Sequence, residues 1–218
     1  MQNIVLKPYQ MNFYLNITVN IPKEGIQMVK YDYQTNIWFS SDLHFGHSRE
    51  FLFKPRGFSN IKDMNDQILQ NFNSVVGKDD EVYLLGDLTL GDLDAAIPYL
   101  TQLNGHIHVI RGNHDTDRRV EFYKSLGWDV HDALRIRWDK YTFFLCHYPT
   151  MTFNMEQEYL SQTTLCLYGH THQKTNFYND IPYCYHVGVD SHNCFPVHVR
   201  TVIEDIKYKL NECISFLD

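Results

Sequence analysis

Short apolar runs recur along the chain, and most of them break off at a residue able to bind metal. Ile37-Trp38-Phe39, Val82-Tyr83-Leu84-Leu85 and Ile107-His108-Val109-Ile110 are too short for helices and rich in β-branched or aromatic residues. They read as buried strands, as do residues 141–146, 164–168 and 183–187. Shorter strands are expected about 129–130 and 134–138. Between the strands the period changes. Ile61, Met64, Ile68, Leu69, Phe72 and Val76 recur largely at intervals of three and four, behind Ser59 or Asn60 as a cap. This predicts a helix that Gly77 ends. Helices are also predicted over 92–103, 116–126 and 199–216, the last with Val202, Ile203, Ile206 and Leu210 on one face. A short helical piece near 49–53 leads into the loop Lys54-Pro55-Arg56-Gly57.

Strands and helices alternate in the first half, and the second half is richer in strands. That order suggests a layered α/β domain with two sheets and outer helices. No fixed-period repeat and no low-complexity linker divides the chain, so residues 1–218 read as a single domain. Residues 1–35 are its least patterned part. The run from Phe13 to Ile21 is β-prone and is followed by turn signals at Pro22, Glu24 and Gly25, so this segment reads as a β-rich extension to a core of 36–218.

Composition narrows the class. The chain has 218 residues, 44% of them hydrophobic, enough for a sizeable core. A net charge of -7 argues against a basic groove for duplex nucleic acid, although two bound divalent cations would reverse the sign locally. The five cysteines are odd in number and form no Cys-x-x-Cys pair, which speaks against a disulfide framework and for a reducing cytosol. No window approaches the length of a membrane span, and the expectation is a soluble cytoplasmic protein.

The strand ends carry the chemistry: Asp42 and His44; Asp87; Asn113; His147; His170 and His172. Six of the 12 histidines, His44, His47, His114, His147, His170 and His172, lie in these loops. Neighbouring strand ends of an α/β fold converge on one crevice, so residues far apart in sequence can meet there. Singly each signal is weak, because a strand-end Asp often caps a turn and a histidine after an apolar run often sits in a core. Together, carboxylate, amide oxygen and imidazole suit Mn, Fe, Zn, Co or Ni better than Mg or Ca. Two such ions about 3.5–4 Å apart need a carboxylate bridge, and the pair activates water and clamps a phosphoryl oxygen.

The succession Asp42-x-His44, Gly86-Asp87, Gly112-Asn113-His114-Asp115, Cys146-His147, Gly169-His170-Thr171-His172 resembles the calcineurin-like metallophosphoesterase superfamily over about Ile37 to Ile206. Asn73-Ser74-Val75-Val76-Gly77 and His147-Tyr148-Pro149 further resemble its small bacterial and phage members. The resemblance implies a four-layer α/β/β/α sandwich of two mixed sheets flanked by helices. It implies a phosphomonoesterase or phosphodiesterase in which a metal-bridging hydroxide attacks phosphorus. It would place Asp42, His44, Asp87 and His172 on one ion, and Asp87 as bridge with Asn113, His147 and His170 on the other. Manganese is among the metals expected. His114 would stabilise charge or protonate the leaving oxygen, with Asp115 orienting it.

His47 and Arg56 are candidate substrate contacts, and Arg111 is expected to face away in a salt bridge. Gly86-Asp87-Leu88-Thr89-Leu90 lacks the second acid of the Gly-Asp-x-x-Asp form, which removes a supporting contact for that loop. The Arg-Gly and Asn-His-Glu signatures of protein Ser/Thr phosphatases are absent. The expected partner is a small phosphoester, with nucleotides among the candidates, and neither duplex nucleic acid nor membrane is expected. Two alternatives stand beside this reading: a nuclease or nucleotide phosphodiesterase acting on short single strands or cyclic nucleotides, and a non-catalytic scaffold of the same fold.

Overall fold

A computed structural model describes residues 27–152 and 160–215; the β-prone run 13–21 lies outside them. In chain order the elements are β1 (Met28–Tyr31), β2 (Ile37–Ser40), α1 (Glu50–Phe53), α2 (Ile61–Val75), β3 (Glu81–Leu84), α3 (Leu93–Leu100), β4 (His106–Ile110), α4 (Asp117–Ser125), β5 (Asp129–His131), β6 (Leu134–Trp138), β7 (Tyr141–Leu145), β8 (Thr164–Tyr168), β9 (Cys184–His186), β10 (Val197–His198) and α5 (Val199–Ser215). Helix α2 starts where its sequence asks it to. The Asn60 side chain accepts a hydrogen bond from the Asp63 amide at 2.9 Å, and Met64, Ile68 and Phe72 turn one face inward. Asp92 caps α3 in the same way.

One sheet has the order β10-β2-β3-β4-β5 and the other β1-β6-β7-β8-β9. Strands β2 to β5 are parallel, and β10 joins them antiparallel through Val197 opposite Phe39. In the second sheet only β6 and β7 pair antiparallel. Both sheets are therefore mixed. Parallel register brings the carboxyl ends of β2, β3 and β4 to one pole, with Ser40 opposite Leu84 and Leu84 opposite Val109.

The sheets face each other across a core that includes Ile37, Phe39, Tyr83, Ile136, Phe143 and Leu167, and α5 adds Val202, Ile203 and Ile206 to it. Residues of α2, α3 and α4 cover the other face of the first sheet, with Met64, Phe72, Ala96 and Tyr123 against Val82, Leu84 and Val109. This is the α/β sandwich of two mixed sheets flanked by helices that the resemblance implies, and it agrees with the two-sheet layered domain suggested by the sequence pattern. Residues 28–31, which the pattern leaves in the extension, form an edge strand parallel to β6. Among the described residues no helix is long and apolar enough to cross a membrane.

Candidate metal centre

Loops at the shared pole are tied to one another by short bridges. Ser41 bridges to Gly188, and Phe45 bridges to Thr89, which ties the loop after β2 to those after β9 and β3. Asp42, His44, Asp87, His170 and His172 all have φ between 50° and 68°. That region is sparsely populated by residues with a Cβ, and five of the ten non-glycine residues found there among the described residues are candidate ligands. The glycines beside them are spacers. A Cβ on Gly112 would lie 2.3 Å from Asp87 Oδ1, and one on Gly169 would lie 1.8 Å from Ser41 Oγ. No side chain fits at either position.

Ligand atoms of Asp42, His44 and His172 lie within 4.8 Å of one another, and so do those of Asp42, Asp87 and His147. The two groups share Asp42. Its Oδ2 accepts hydrogen bonds from the Ser41 hydroxyl (2.5 Å) and the His170 amide (2.9 Å). Its Oδ1 is buried, has no hydrogen-bond partner, and lies 3.9 Å from His44 Nε2 and 3.8 Å from His172 Nε2. A buried carboxylate oxygen left unpaired between two imidazole nitrogens is costly unless a cation completes it. The residues therefore fit a divalent metal.

Around Asp87 the set widens. Its Oδ1 accepts the His114 amide at 2.8 Å, and its Oδ2 lies 3.4 Å from His147 Nε2. Asn113 Oδ1 lies 3.0 Å from His147 Nε2 and 2.9 Å from His170 Nδ1. His147 Nδ1 lies 2.7 Å from the Leu85 carbonyl and donates to it, which leaves Nε2 facing Asp87. All seven residues that the resemblance implies as ligands thus meet at one pole.

The electrostatics follow from burial and neighbours. Burial pushes the Asp42 carboxyl up, against the opposing pull of His172 and His147. Asp87 is also buried, but its bond to His147 and that residue's charge bring it below its ordinary value. His44 is held well below the usual histidine range by burial and by the charge of Arg56, so it is neutral and able to ligate.

Three expectations change. Arg56 does not face a substrate: its side chain is 1% exposed and pairs with Asp190 through Nε (3.0 Å) and Nη2 (2.8 Å). It also donates to the Asp42 carbonyl at 2.8 Å. Asp115 does not orient His114. Its carboxylate accepts the amides of Asp87 (2.8 Å) and Gly112 (2.9 Å) and the Tyr123 hydroxyl (2.9 Å). His47 is only 6% exposed, lies under the edge of Phe51 at 5.3 Å between ring centroids, and belongs to neither ligand group. His114 is open instead, with a side chain 42% exposed, its ring 5.7 Å from that of His44 and its Nε2 3.9 Å from Asp87 Oδ2.

Arg111 behaves as expected and pairs with Asp117 at 2.6 Å. Leu90 stands where the Gly-Asp-x-x-Asp form has its second acid. The loop is braced there by the Leu90 amide on the Phe45 carbonyl (3.2 Å) and by Thr89 Oγ1 on the Tyr123 hydroxyl (3.3 Å). Sequence reasoning missed Asp190 altogether. Its only signal was a carboxylate just past the strand end Gly188-Val189.

Comparison with known proteins places this geometry. Residues 36–188 match the calcineurin-like phosphoesterase superfamily domain. An uncharacterized protein from Methanocaldococcus jannaschii is 31% identical over 179 residues, covering 78% of this chain and 91% of that protein. The gene 66 protein of Mycobacterium phage D29 is 30% identical over 203 residues, covering 79% of this chain and 98% of its own. A protein of unknown function from Aquifex aeolicus shares the fold with a TM-score of 0.61 at 23% identity, over 78% of this chain and 98% of that one.

Proposed function

The chain belongs to the calcineurin-like phosphoesterase superfamily, and from that membership we propose that it hydrolyses a small phosphoester with two divalent transition-metal ions. Asp42, His44, Asp87 and His172 would hold one ion, and Asp87, Asn113, His147 and His170 the other. The observation that carries the reading is the unpaired Oδ1 of buried Asp42 facing His44 and His172. Mn, Fe, Zn, Ni and Co all suit this mixed oxygen and nitrogen set. When bound, such ions supply an activated water and neutralise charge on the phosphoryl oxygens.

The chain's own residues do the rest. Asp115 fixes Asp87 and Gly112 relative to each other, so the loops after β3 and β4 keep their spacing. The Leu85 carbonyl fixes the His147 tautomer. His114 stands at the open side of the centre, anchored by its amide on Asp87 Oδ1, and its imidazole serves the departing oxygen as hydrogen-bond donor or proton source.

The test is hydrolysis by metal-stripped protein reconstituted separately with Mn²⁺, Ni²⁺, Zn²⁺ and Co²⁺. The substrates are bis(p-nitrophenyl) phosphate, p-nitrophenyl phosphate, and a panel of cyclic, linear and short oligomeric nucleotides. Chelator-sensitive turnover that Asp87→Ala removes supports the reading. No turnover of any substrate with any of these metals sinks it, and leaves the non-catalytic scaffold.

A further inference from the structure

We propose that Asp190, braced by Arg56, is a positioning residue that makes the Asp42, His44 and His172 position the tighter of the two metal sites. The inference rests on the two-metal reading above. His172 Nδ1 lies 2.8 Å from Asp190 Oδ2, so the imidazole donates there and turns its Nε2 lone pair toward His44 Nε2, 3.2 Å away, and Asp42 Oδ1. A carboxylate behind a ligating histidine fixes its tautomer and ring angle and makes it a better donor to metal.

The brace has a second end. Arg56 holds both oxygens of Asp190, and its Nη2 also bonds the carbonyl of Asp42 at 2.8 Å. Its Nη1 reaches the Leu43 carbonyl at 3.4 Å. One guanidinium thus ties the main chain at two ligands' loop to the carboxylate that aims the third ligand. Arg56 and Asp190 are both nearly excluded from solvent, at 1% and 6% side-chain exposure, so the geometry is fixed by packing as well as by charge. Arg56 offsets the charge of Asp190, with Lys174 Nζ also 4.0 Å from Asp190 Oδ1, so Asp190 orients His172 without leaving a net negative charge behind it.

Among the described residues no carboxylate stands behind a histidine of the other metal position. His147 leans on a neutral carbonyl, that of Leu85. His170 is exposed, and its Nδ1 faces Asn113 Oδ1, inside the ligand set rather than behind it. Strong and weak halves of one centre are the consequence: an ion bound first at Asp42, His44 and His172, and a second that exchanges more readily.

The experiment is calorimetric titration of metal-stripped protein with Mn²⁺, paired with the Co²⁺ absorption spectrum, for wild type, Asp190→Asn and Asp190→Asn/Arg56→Gln. The double variant removes the carboxylate without leaving a lone buried guanidinium beside the site, and thermal melting of each metal-stripped protein reports folding. Wild type is expected to bind in two steps. Both variants are expected to lose about 10- to 100-fold in the tight step, with the weak step in place and the Co²⁺ bands altered. In a His172→Gln background, Asp190→Asn is expected to add nothing to the loss. An unchanged tight step in a folded variant overturns the inference while leaving the phosphoesterase reading standing. Equal weakening of both steps with a lowered melting temperature also overturns it, because that marks a purely structural ion pair. Wild-type protein that takes up no Mn²⁺ or Co²⁺ overturns the metal reading and this inference with it.

Discussion

Asp115 accepts the main-chain amide of Asp87 at 2.8 Å, and this one bond couples the loop after β3 to the loop after β4. The same carboxylate also takes the Gly112 amide and the Tyr123 hydroxyl, so it is a knot between loops and not a partner to His114. Asp115→Ala would leave the buried amides of Asp87 and Gly112 without an acceptor, at about 1–3 kcal/mol each before relaxation, and would leave the Tyr123 hydroxyl only the longer contact to Thr89 Oγ1. The expected outcome is a loss of several kcal/mol in urea denaturation and a parallel loss of bound metal. The shape of the pH–rate profile should not change in whatever activity survives. A variant of normal stability with an altered profile would restore Asp115 to the proton-transfer apparatus.

Asp42 illustrates the cost of function. Its buried Oδ1 has no hydrogen-bond partner. In Asp42→Asn the amide oxygen can accept from Ser41 and His170 as Oδ2 does now, while the NH₂ group faces the imidazole nitrogens of His44 and His172. Metal-stripped Asp42→Asn is therefore expected to be more stable than metal-stripped wild type by about 0.5–2 kcal/mol, with hydrolysis and metal uptake lost. Thermal melts with and without Mn²⁺ check both halves: wild type should rise on adding metal, by about 2.7 kcal/mol at a hundredfold excess over Kd, and the variant should not.

His114 is open to solvent where the metal ligands around it are mostly buried, and its amide bond to Asp87 does not depend on its side chain. His114→Ala should thus keep its metal content and fold. Loss of a positioned proton donor costs about 10²–10⁴-fold in rate. The loss should shrink for leaving groups that need no protonation, so kcat on p-nitrophenyl esters is expected to fall less than kcat on alkyl or nucleoside esters. Equal losses across leaving groups would remove His114 from the departing oxygen.

The ligands were legible because each closes a short apolar run, and parallel pairing then carries those ends to one pole. His170 and His172 follow β8, and Asp42 follows β2, by rules of strand length alone. The brace was not legible. Arg56 and Asp190 are 134 residues apart, and no local pattern distinguishes a guanidinium aimed at a distant carboxylate from one aimed at a phosphate. Asp115 was misread for a related reason: its partners are main-chain amides and a tyrosine one helix away, which spacing in a motif cannot reveal. Strands β1 and β10 escaped notice because one is a part-exposed edge and the other is two residues long.

Gly169 gives a direct test of how closely the loops approach. A Cβ there would overlap Ser41 Oγ and lie 2.5 Å from Asp42 Oδ2, so Gly169→Ala must push the loop after β8 off the loop after β2. Overpacking of this kind costs about 1–3 kcal/mol. Metal uptake should fall with it, because Asp42 sits at the point of contact. Gly127→Ala is the comparison. Its φ is +83° but nothing lies within 4 Å of the added Cβ, so only a backbone cost of about 1–2 kcal/mol is expected, with metal binding intact. Calorimetric Mn²⁺ titration of the two variants separates crowding at the site from general destabilisation.

His186 sets an acid limit on the fold. It is fully buried, its Nδ1 bonds Ser191 Oγ at 2.8 Å, and its Nε2 has no partner. Burial, with a smaller contribution from His192, pulls its pKa down to about 3. The unfolded chain binds a proton at this position near pH 6.5 and the folded chain does not, so the unfolded state gains protons first as pH falls. The contribution to stability is whole above about pH 6.5 and drains away toward pH 3, by about 1.4 kcal/mol per pH unit. In urea denaturation of metal-stripped protein between pH 7.5 and about 4.5, wild type should lose stability more steeply than His186→Gln. The comparison cancels the metal-ligand histidines, which titrate in both proteins. Parallel pH slopes would mean that His186 takes up its proton without unfolding the chain.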